Sequence, residues 1–351
     1  MKVLYLSFTR LDYPLNSILL EGLKENDVKV VEFYTKNRGL SGLMKALSFY
    51  RRNSKNTDIV FVGYDSPSLV IFLRPFCRKK IVYNAFLSGY ERVVVSRELA
   101  SRFSIKAIYY WLLDFLAVHF ADLTRLESNS QADYFKKLFK VSERKLYRIW
   151  VGVNEDKFFY DPSITKFDVF TVLFRGALMP EAGVEHIIKA AKVLEDKNIK
   201  FILLGGGNLL EKTRKIIDEL KPSNLYHTAD YTPDDKLRET MQKCHLSLGQ
   251  LSSHDRLTRT TPLKMFESLA MKLPYLTAPN RAVLELLTPN ETCLICNSAD
   301  PSSLAEKILW VKNNYSFAER IAENGYTLYQ EKLRPHTLAK NLLDKIFSCK
   351  K

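Results

Sequence analysis

One segment of the sequence combines positive side chains, a carboxylate and the start of a helix. Residues 259–272 read RTTPLKMFESLAMK. Pro262 suits the first position of a helix and Thr261 suits its N-cap, so a helix with outward-facing amide groups is predicted to begin here. Such a helix end attracts anions. Lys264 and Glu267 are three positions apart and therefore share one face of this helix.

Two interpretations of this segment are open. The first is an exposed Lys264–Glu267 ion pair, which would contribute only a few tenths of a kcal/mol, roughly, to stability. The second is an anion site, because Arg256, Arg259 and Lys264 converge on a helix end that itself repels cations. A bound diphosphate would explain that accumulation of charge.

Composition limits the classes of protein to which the chain can belong. It has 351 residues, 46% of them hydrophobic, and a formal net charge of +14 from 53 Lys+Arg and 39 Asp+Glu. These values are typical of a globular protein of about two domains. The positive charge fits a phosphate-bearing substrate, an anionic membrane surface or nucleic acid. No basic run interleaved with aromatic residues and no nucleic-acid-binding motif is present, so a nucleic-acid partner is not predicted.

The cysteines and histidines do not form a pattern typical of a disulfide framework or a metal centre. Five cysteines, an odd number, are scattered along the chain, and they indicate a reducing, cytoplasmic location. Cys293 and Cys296 lie on a predicted strand and point to opposite faces, so we expect two core thiols. His119 is expected to be an ordinary helix residue, and the spacing of the other histidines predicts no metal ligands.

Apolar runs alternate with amphipathic stretches in both halves of the chain. The strands predicted in the first half are 3–8, 28–33, 58–62, 80–84, 123–126 and 148–154. Those predicted in the second half are 169–174, 200–204, 225–226, 246–249, 275–278 and 292–297. Strands separated by helices predict parallel βαβ units. The expected fold is therefore α/β, with two Rossmann-like, doubly wound domains facing a central cleft.

The polar, proline-containing stretch 160–166 suggests where the domains divide. We predict a first domain over 1–164, a second over 165–334 and a C-terminal helix over 335–351 that packs back on the first domain. The apolar stretch 107–121 is shorter than the roughly 20 residues that a membrane-spanning helix needs. It predicts a buried helix whose rim touches lipid.

Several segments together resemble the group 1 nucleotide-sugar glycosyltransferases of the GT-B fold. The strongest resemblance is the spacing Arg259-x-x-Pro262-x-Lys264-x-x-Glu267, which is similar to their donor-binding segment. Residues 174–184 look like their glycine loop, 204–207 like their second glycine turn, and 150–158 like the segment that closes their first domain.

The resemblance implies a retaining, metal-independent transfer of a sugar from a nucleoside diphosphate, with no cofactor. It implies that Glu267 holds the donor ribose. It also implies that Lys264 and Arg259 are catalytic, because they hold the diphosphate and stabilise it as it leaves. Arg175 and the backbone of Gly176 would face the same phosphates. Further donor contacts are expected from Gly205, Gly207 and Tyr231. Around Tyr231, where relatives place the nucleobase, a solvated turn is the alternative interpretation.

The acceptor side is expected in loops of the first domain, with Arg10, Asn84 and Glu91 as candidate residues. The implied acceptor is a glycan or a lipid-linked acceptor. Basic and aromatic residues of that domain, including Lys45, Phe49, Tyr50, Arg51, Arg52, Arg74, Arg78, Lys79 and Lys80, would provide peripheral attachment to the inner face of the membrane. A solvated basic face is the alternative.

The sequence departs from the family pattern at three positions. Arg259 stands where many relatives have the first glutamate of a Glu-x7-Glu pair, and Ala177 and Ala182 stand where many have cations. These departures keep a non-catalytic nucleotide-binding relative open as an alternative. A sugar-nucleotide epimerase of the same fold is a second alternative, but the sequence offers no identifiable carboxylate pair for its acid and base.

Overall fold

The computed structural model describes residues 1–348, and they form two compact units. Unit 1 comprises Met1–Asn154 together with the chain from Leu333 onward, and unit 2 comprises Glu155–Lys332. The division after Asn154 comes earlier in the chain than the predicted boundary at 164.

Hydrogen bonds explain why the stretch 160–166 belongs to unit 2. The backbone N–H of Asp161 donates to Oε1 of Gln242 at 2.8 Å. Lys166 Nζ donates to the carbonyls of Gln242 and Cys244 at 2.8 and 2.7 Å, and burial lowers the pKa of Lys166 to about 8. The proline and polar residues of this stretch are thus fixed to unit 2 rather than forming a free linker.

Unit 1 contains a six-stranded, all-parallel sheet in the order β2-β1-β3-β4-β5-β6. Its strands are β1 (Lys2–Ser7), β2 (Lys29–Tyr34), β3 (Ile59–Val62), β4 (Lys80–Phe86), β5 (Leu123–Leu126) and β6 (Leu146–Arg148). Its helices are α1 (Pro14–Glu25), α2 (Leu40–Asn53), α3 (Pro67–Leu73), α4 (Ile105–Phe120), α5 (Asn129–Phe139) and, after unit 2, α13 (Pro335–Ser348). A π-helical turn, Glu91–Ser96, lies between β4 and α4. Apart from Lys2 at its start, β1 is buried throughout, because a parallel sheet is covered on both faces.

The last strand of this sheet ends earlier than predicted. The sequence predicted that 148–154 is a strand ending in a turn, but β6 covers only Leu146–Arg148. The N–H of Ile149 still donates to the carbonyl of Leu126. Gly152 then has a φ of +77° and lies so close to the carbonyl of Leu333 that an added Cβ would be 2.8 Å from it, so the chain turns away from the sheet.

The C-terminal helix α13 packs on α1 within unit 1. A Cβ added at Gly22 would lie 2.1 Å from the carbonyl oxygen of Pro335. Asn26 Nδ2 donates to the carbonyl of His336 at 2.9 Å, and Lys80 Nζ donates to that of Ile346 at 2.8 Å. Within the described residues, no helix has the length and apolarity required to cross a membrane.

Unit 2 contains a second six-stranded parallel sheet, in the order β12-β11-β10-β7-β8-β9. Its strands are β7 (Phe170–Arg175), β8 (Ile199–Leu204), β9 (Leu225–Thr228), β10 (Leu246–Leu248), β11 (Tyr275–Thr277) and β12 (Leu294–Ile295). Its helices are α6 (Val184–Val193), α7 (Leu210–Leu220), α8 (Asp234–Lys243), α9 (Leu263–Ala270), α10 (Arg281–Leu284), α11 (Pro301–Asn313) and α12 (Tyr315–Lys332). The strand order reverses between β7 and β10, which is where ligands bind in open α/β sheets.

The thiols of the described residues are buried. Cys77, Cys244, Cys293 and Cys296 are free, and Cys349 lies outside the described residues. Strand β12 covers only Leu294–Ile295, so Cys293 and Cys296 flank it rather than lying within it. Burial raises the pKa of both thiols to about 12, as expected for core residues.

Candidate functional site

Two glycine loops cross at the carboxyl ends of β7 and β8. Gly176 and Gly205 have φ angles of +146° and +149°, and a Cβ added at Gly205 would lie 2.0 Å from the carbonyl oxygen of Gly176. The N–H of Gly176 donates to the carbonyl of Leu204 at 2.9 Å. Only glycine permits this backbone approach. Gly207 approaches the backbone of Leu178 in the same way.

An ion pair joins β7 to α9 beside this crossing. Nη1 of Arg175 donates to both carboxylate oxygens of Glu267, at 2.7 Å each. Glu267 is only 5% exposed. The guanidinium of Arg175 also lies 5.6 Å from the ring centroid of Phe158. The carboxylate that the sequence predicted as a ribose ligand is therefore held in place by the neighbouring strand.

Lys264 is a buried cation without a hydrogen-bond acceptor. The residue is 7% exposed, and its Nζ lies 3.5 Å from the ring centroid of Phe174. A Cβ added at Gly176 would lie 3.0 Å from this Nζ. Over residues 1–348 no atom accepts a hydrogen bond from it, and the first interpretation above, an exposed Lys264–Glu267 pair, is wrong.

The surroundings of Lys264 weaken its hold on a proton. Burial, and then the nearby charge of Arg175, lower the pKa of Lys264 well below its usual value, and Glu267 partly offsets this effect. A desolvated ammonium that lacks an acceptor carries a cost in free energy. An anion bound above the Gly176 backbone would remove that cost.

Helix α9 begins one residue later than predicted. Its first residue is Leu263 and its N-cap is Pro262, and no side chain caps it. The expected N-cap, Thr261, is buried outside the helix. Because the cap position carries no hydroxyl or carboxylate, no side chain occupies the amide groups of the first turn, and this end of the helix retains its attraction for anions.

Arg259 is held by its own turn. Nη2 of Arg259 donates to Oδ2 of Asp255 at 2.9 Å, and Nη1 donates to Oγ1 of Thr258 at 3.2 Å. Both partners belong to the 3₁₀ turn Asp255–Thr258. Its predicted contact with the diphosphate remains a prediction, whereas Arg175, Gly176, Lys264 and Glu267 are brought together directly.

A cavity of about 410 Å³ opens beside the glycine loops, entirely within unit 2. Its walls include Arg175, Gly176, Ala177, Leu204, Gly205, Gly206, Asp230, Tyr231, Thr232, Asp234 and Leu237. Tyr231 is 82% exposed, so it lies at the rim with its ring free to stack. The cavity volume falls within the range of small-molecule sites.

A larger cavity of about 510 Å³ lies elsewhere in unit 2. Its lining comes from Phe167–Val169, ahead of β7, and from the chain near Lys200 and Ser223, at the starts of β8 and β9. It contains none of the predicted site residues. Ligands of open α/β sheets bind at the carboxyl ends of the strands, so the smaller cavity is the candidate site.

The three acceptor-side candidates have different surroundings in unit 1. Arg10 is exposed and pairs with Asp12. Asn84 is buried, donating to the carbonyl of Leu15 at 2.8 Å and accepting from Arg125 at 2.8 Å. Glu91 is also buried and accepts from Gln131 at 2.6 Å. Neither Arg10 nor Asn84 is hydrogen-bonded to Glu91, and the role of all three in acceptor binding stays a prediction.

Sequence reasoning missed two aromatic contributors to the site. Phe174 lies beneath the ammonium of Lys264, and Phe158 lies beside Arg175. The available signal for Phe174 was its place directly before Arg175 at the end of a predicted strand. Nothing in the sequence near Phe158 indicated that its ring reaches β7.

Comparison with known proteins supports the predicted resemblance. The model of the family "Glycosyl transferases group 1" matches residues 158–328, nearly the whole of unit 2. Over this region the chain is similar to the group 1 glycosyltransferases, as predicted. The relatives by sequence are named glycosyltransferases, which agrees with the predicted enzyme class.

Solved glycosyltransferase structures share the fold over the entire chain. The Anabaena protein HepE, solved with UDP and glucose, has a TM-score of 0.74 at 16% identity and aligns over 99% of this chain and 100% of its own. Sucrose-phosphate synthase from Thermosynechococcus elongatus has a TM-score of 0.78 at 14% identity, with coverages of 99% and 100%. The predicted GT-B fold of two Rossmann-like units is confirmed.

Two relatives were found by sequence. An uncharacterized glycosyltransferase of Methanocaldococcus jannaschii is 22% identical over 90% of this chain and 84% of its own length. The 2-deoxystreptamine N-acetyl-D-glucosaminyltransferase of Niallia circulans is 25% identical over 50% of this chain, and the match spans only 44% of that enzyme.

Proposed function

We propose that this glycosyltransferase moves a sugar from a nucleoside diphosphate sugar to a glycan or lipid-linked acceptor, with retention of anomeric configuration. The observation that carries the proposal is the buried ammonium of Lys264, which lacks an acceptor and lies against the Gly176 backbone. A diphosphate provides several anionic oxygens and would satisfy it.

The same ammonium would favour the transition state. As the bond between sugar and diphosphate breaks, negative charge grows on the departing oxygen. Lys264 is already desolvated and fixed, so its attraction for that charge needs no reorganisation. An interaction that strengthens as the bond breaks accelerates the chemical step rather than only tightening substrate binding.

Glu267 and the cavity rim suit the nucleoside. A carboxylate has about four acceptor positions, and the single Arg175 nitrogen that it binds leaves room for ribose hydroxyls. The exposed ring of Tyr231 suits stacking on a base. UDP is the first nucleotide to test, because HepE was solved with UDP.

We propose that the diphosphate is neutralised by Lys264 and Arg175 rather than by a resident divalent cation. The acceptor is proposed from the positive charge of the chain, +14, which suits a polyanionic or membrane-borne glycan. The cytoplasmic location, at or near the inner face of a membrane, is likewise a proposal.

The first experiment measures thermal unfolding of the protein with UDP, GDP and ADP and with their sugar conjugates, since a ligand of the native state raises the midpoint. We expect a selective rise with one nucleotide and its sugar, unchanged by EDTA. Proton NMR of the released or transferred sugar then reports the anomeric configuration. Nucleotide binding without hydrolysis or transfer would favour the non-catalytic alternative, and no shift with any nucleotide would overturn the proposal.

A further inference from the structure

The larger cavity of unit 2, of about 510 Å³, has one face of the sheet as its floor. Thr171 of β7 is in register with Lys200 of β8. Ile202 of β8 is in register with Tyr226 of β9. Because Lys200 and Ile202 are two positions apart, all four side chains lie on the same face of the sheet. This cavity is called the β8 cavity below.

The wall of the β8 cavity ahead of β7 is fixed by hydrogen bonds. The N–H of Phe167 donates to the carbonyl of Lys243 at 2.9 Å, and the ammonium of Lys243 lies 6.0 Å from the centroid of the Phe167 ring. The N–H of Thr171 donates to Nδ1 of His245 at 3.1 Å, and its hydroxyl donates to the carbonyl of Val169 at 2.7 Å. The cavity is therefore formed before any ligand enters, as small-molecule sites usually are.

Two aromatic rings of the β8 cavity are open to a ligand. Phe167 is 37% exposed and Tyr226 is 61% exposed. Over residues 1–348 no other aromatic ring stacks on either of them. An aromatic ring offers a flat apolar surface, and the hydroxyl of a tyrosine adds a polar group at its edge. The cavity thus suits a ligand that combines an apolar face with a polar rim.

The polar lining of the β8 cavity contains unused hydrogen-bonding groups of both kinds. The side chains of Asp168 and Lys200 are exposed, and among the described residues neither forms an ion pair or a hydrogen bond. Nδ2 of Asn224 donates to the carbonyls of Ala191 and Ile199 at 3.0 and 3.1 Å. Its Oδ1 is buried and has no donor in the part of the chain that the structure describes. A buried acceptor without a donor costs free energy, and a ligand hydroxyl would remove that cost.

The chemistry of this lining favours one class of ligand. Its single cation, Lys200, is balanced by the carboxylate of Asp168, whereas a phosphate-rich ligand needs an excess of cations. A wholly apolar ligand would take these polar groups out of water without pairing them. A sugar ring has C–H groups on one face and hydroxyls around its edge, and each hydroxyl can both donate and accept a hydrogen bond. A saccharide therefore matches the aromatic rings and the polar groups together.

We propose that the β8 cavity is a second, non-catalytic saccharide site, in which Tyr226 and Phe167 pack against sugar rings. Asp168 and Lys200 bind the hydroxyls. From Lys200 to Leu204, which lines the donor cavity, β8 extends roughly 13 Å, so a glycan held here leaves the donor cavity open. The site would keep a glycan acceptor or product on unit 2 between transfers. This role of the bound glycan rests on the proposed function.

A glycan array tests the proposal. The full chain, without nucleotide, is applied to an array of neutral, amino and acidic glycans, and titration calorimetry then measures the affinity for a glycan that retains it. We expect retention by glycans that share one sugar unit. Tyr226→Ala should weaken the affinity more than tenfold, because the apolar surface under the sugar ring is removed. The control is Tyr109→Ala, which removes a tyrosine of unit 1 that is 58% exposed and should bind like the parent.

The polar contribution is measured with a second variant. Asp168→Asn with Lys200→Met should weaken glycan affinity by about tenfold or more, because hydrogen bonds to two charged groups are lost or weakened. The control is Asp218→Asn with Lys212→Met, which changes one exposed acid and one exposed lysine of α7. Circular dichroism verifies that each variant is folded.

UDP binding by the same proteins separates this inference from the proposed function. A parent that binds UDP but is retained by no glycan would overturn the saccharide site and leave the proposed function standing. A Tyr226→Ala protein that binds glycan like the parent, or that loses UDP binding, would also overturn the separate site. Glycan binding that depends on Tyr226, in a parent that binds no nucleotide, would support the site and overturn the proposed function.

Discussion

The two units use the reversal point of their sheets in different ways. In unit 1 the reversal lies between β1 and β3, and Asn16 fills it: its Oδ1 accepts from the hydroxyl of Tyr5 and the N–H of Tyr64, both at 2.9 Å. Its Nδ2 donates to the carbonyls of Thr9 and Arg10 at 3.2 and 2.9 Å. In unit 2, Lys264 of the helix that follows β10 lies over Phe174 of β7 at the reversal, and its ammonium has no acceptor among the described residues.

Asn16 of unit 1 belongs to a structural polar network, whereas Lys264 of unit 2 belongs to a candidate binding site. In unit 1 each buried polar atom of Asn16 has a partner within the chain, so the network stabilises the fold by itself. In unit 2 the charge of Lys264 needs a ligand. Unit 2 is therefore the one expected to bind the nucleotide, because it holds this charge.

The largest effect is expected where the glycine loops cross. Gly205→Ala places a Cβ 2.0 Å from the Gly176 carbonyl oxygen at a φ of +149°, and should reduce the free energy of unfolding by about 3 kcal/mol. Gly206→Ala is the control, because its Cβ would meet its nearest neighbour, Ala229, at 3.4 Å. Urea unfolding measures both. Equal stabilities of the two variants would show that the crossing is not tightly constrained.

Next in size is the effect of removing the buried charge. Lys264→Met should weaken UDP binding by about 100-fold, or roughly 2.8 kcal/mol. The same change should raise the free energy of unfolding of the ligand-free protein, because a desolvated ammonium is removed. Titration calorimetry and urea unfolding measure the two effects.

The control for this variant is Lys212→Met, which changes an exposed lysine of unit 2 and should leave both quantities unchanged. A Lys264→Met protein that binds UDP like the parent would contradict the proposed site. One that is less stable than the parent would contradict the assignment of Lys264 as an unsatisfied charge.

A smaller effect is expected when Asn16 of unit 1 is replaced. Asn16→Ala should cost about 2 kcal/mol of stability, since buried partners lose their hydrogen bonds, and should leave UDP affinity unchanged. Asn56→Ala, an exposed asparagine of the same unit, is the control for both measurements. A large loss of UDP affinity on changing Asn16 would break the distinction between the two units.

The smallest expected effect is the uptake of part of a proton when UDP binds. Because the pKa of Lys264 is lowered in the free protein, a bound diphosphate should raise it, and part of one proton should be taken up. UDP affinity should then fall as the pH rises above the lowered pKa of Lys264 in the free protein. Calorimetry in buffers of different ionisation enthalpy measures the uptake, and Lys264→Met should lack it. Proton release in the parent would contradict the sign.

The sequence predicted the features that depend on local pattern. Alternation of apolar runs and helices predicted both parallel sheets. The spacing from Lys264 to Glu267 predicted which helix contributes to the candidate site. The ion pair of Glu267 with Arg175 and the ring of Phe174 under Lys264 depend on which strand lies next to α9, and local pattern does not contain that information.

Structural features that depend on contacts between residues far apart in the sequence could not be predicted. The boundary at Asn154 is set by bonds from Asp161 and Lys166 to the end of α8, and β6 is shortened by the approach of Gly152 to Leu333. Phe103 and Ile105, at the start of α4, are exposed. Their exposure was hidden for the same reason, because an apolar helix residue is normally expected to find a partner in the core.

The return of α13 to α1 has a consequence for biosynthesis. Unit 2 is one continuous segment, whereas unit 1 needs α13 to cover Gly22 and to meet Asn26. As the chain leaves the ribosome, unit 2 therefore has all its parts before unit 1 does. We expect the unit that carries Lys264 to fold first, while the incomplete unit 1 leaves that face of α1 open to chaperones until α13 has been synthesised.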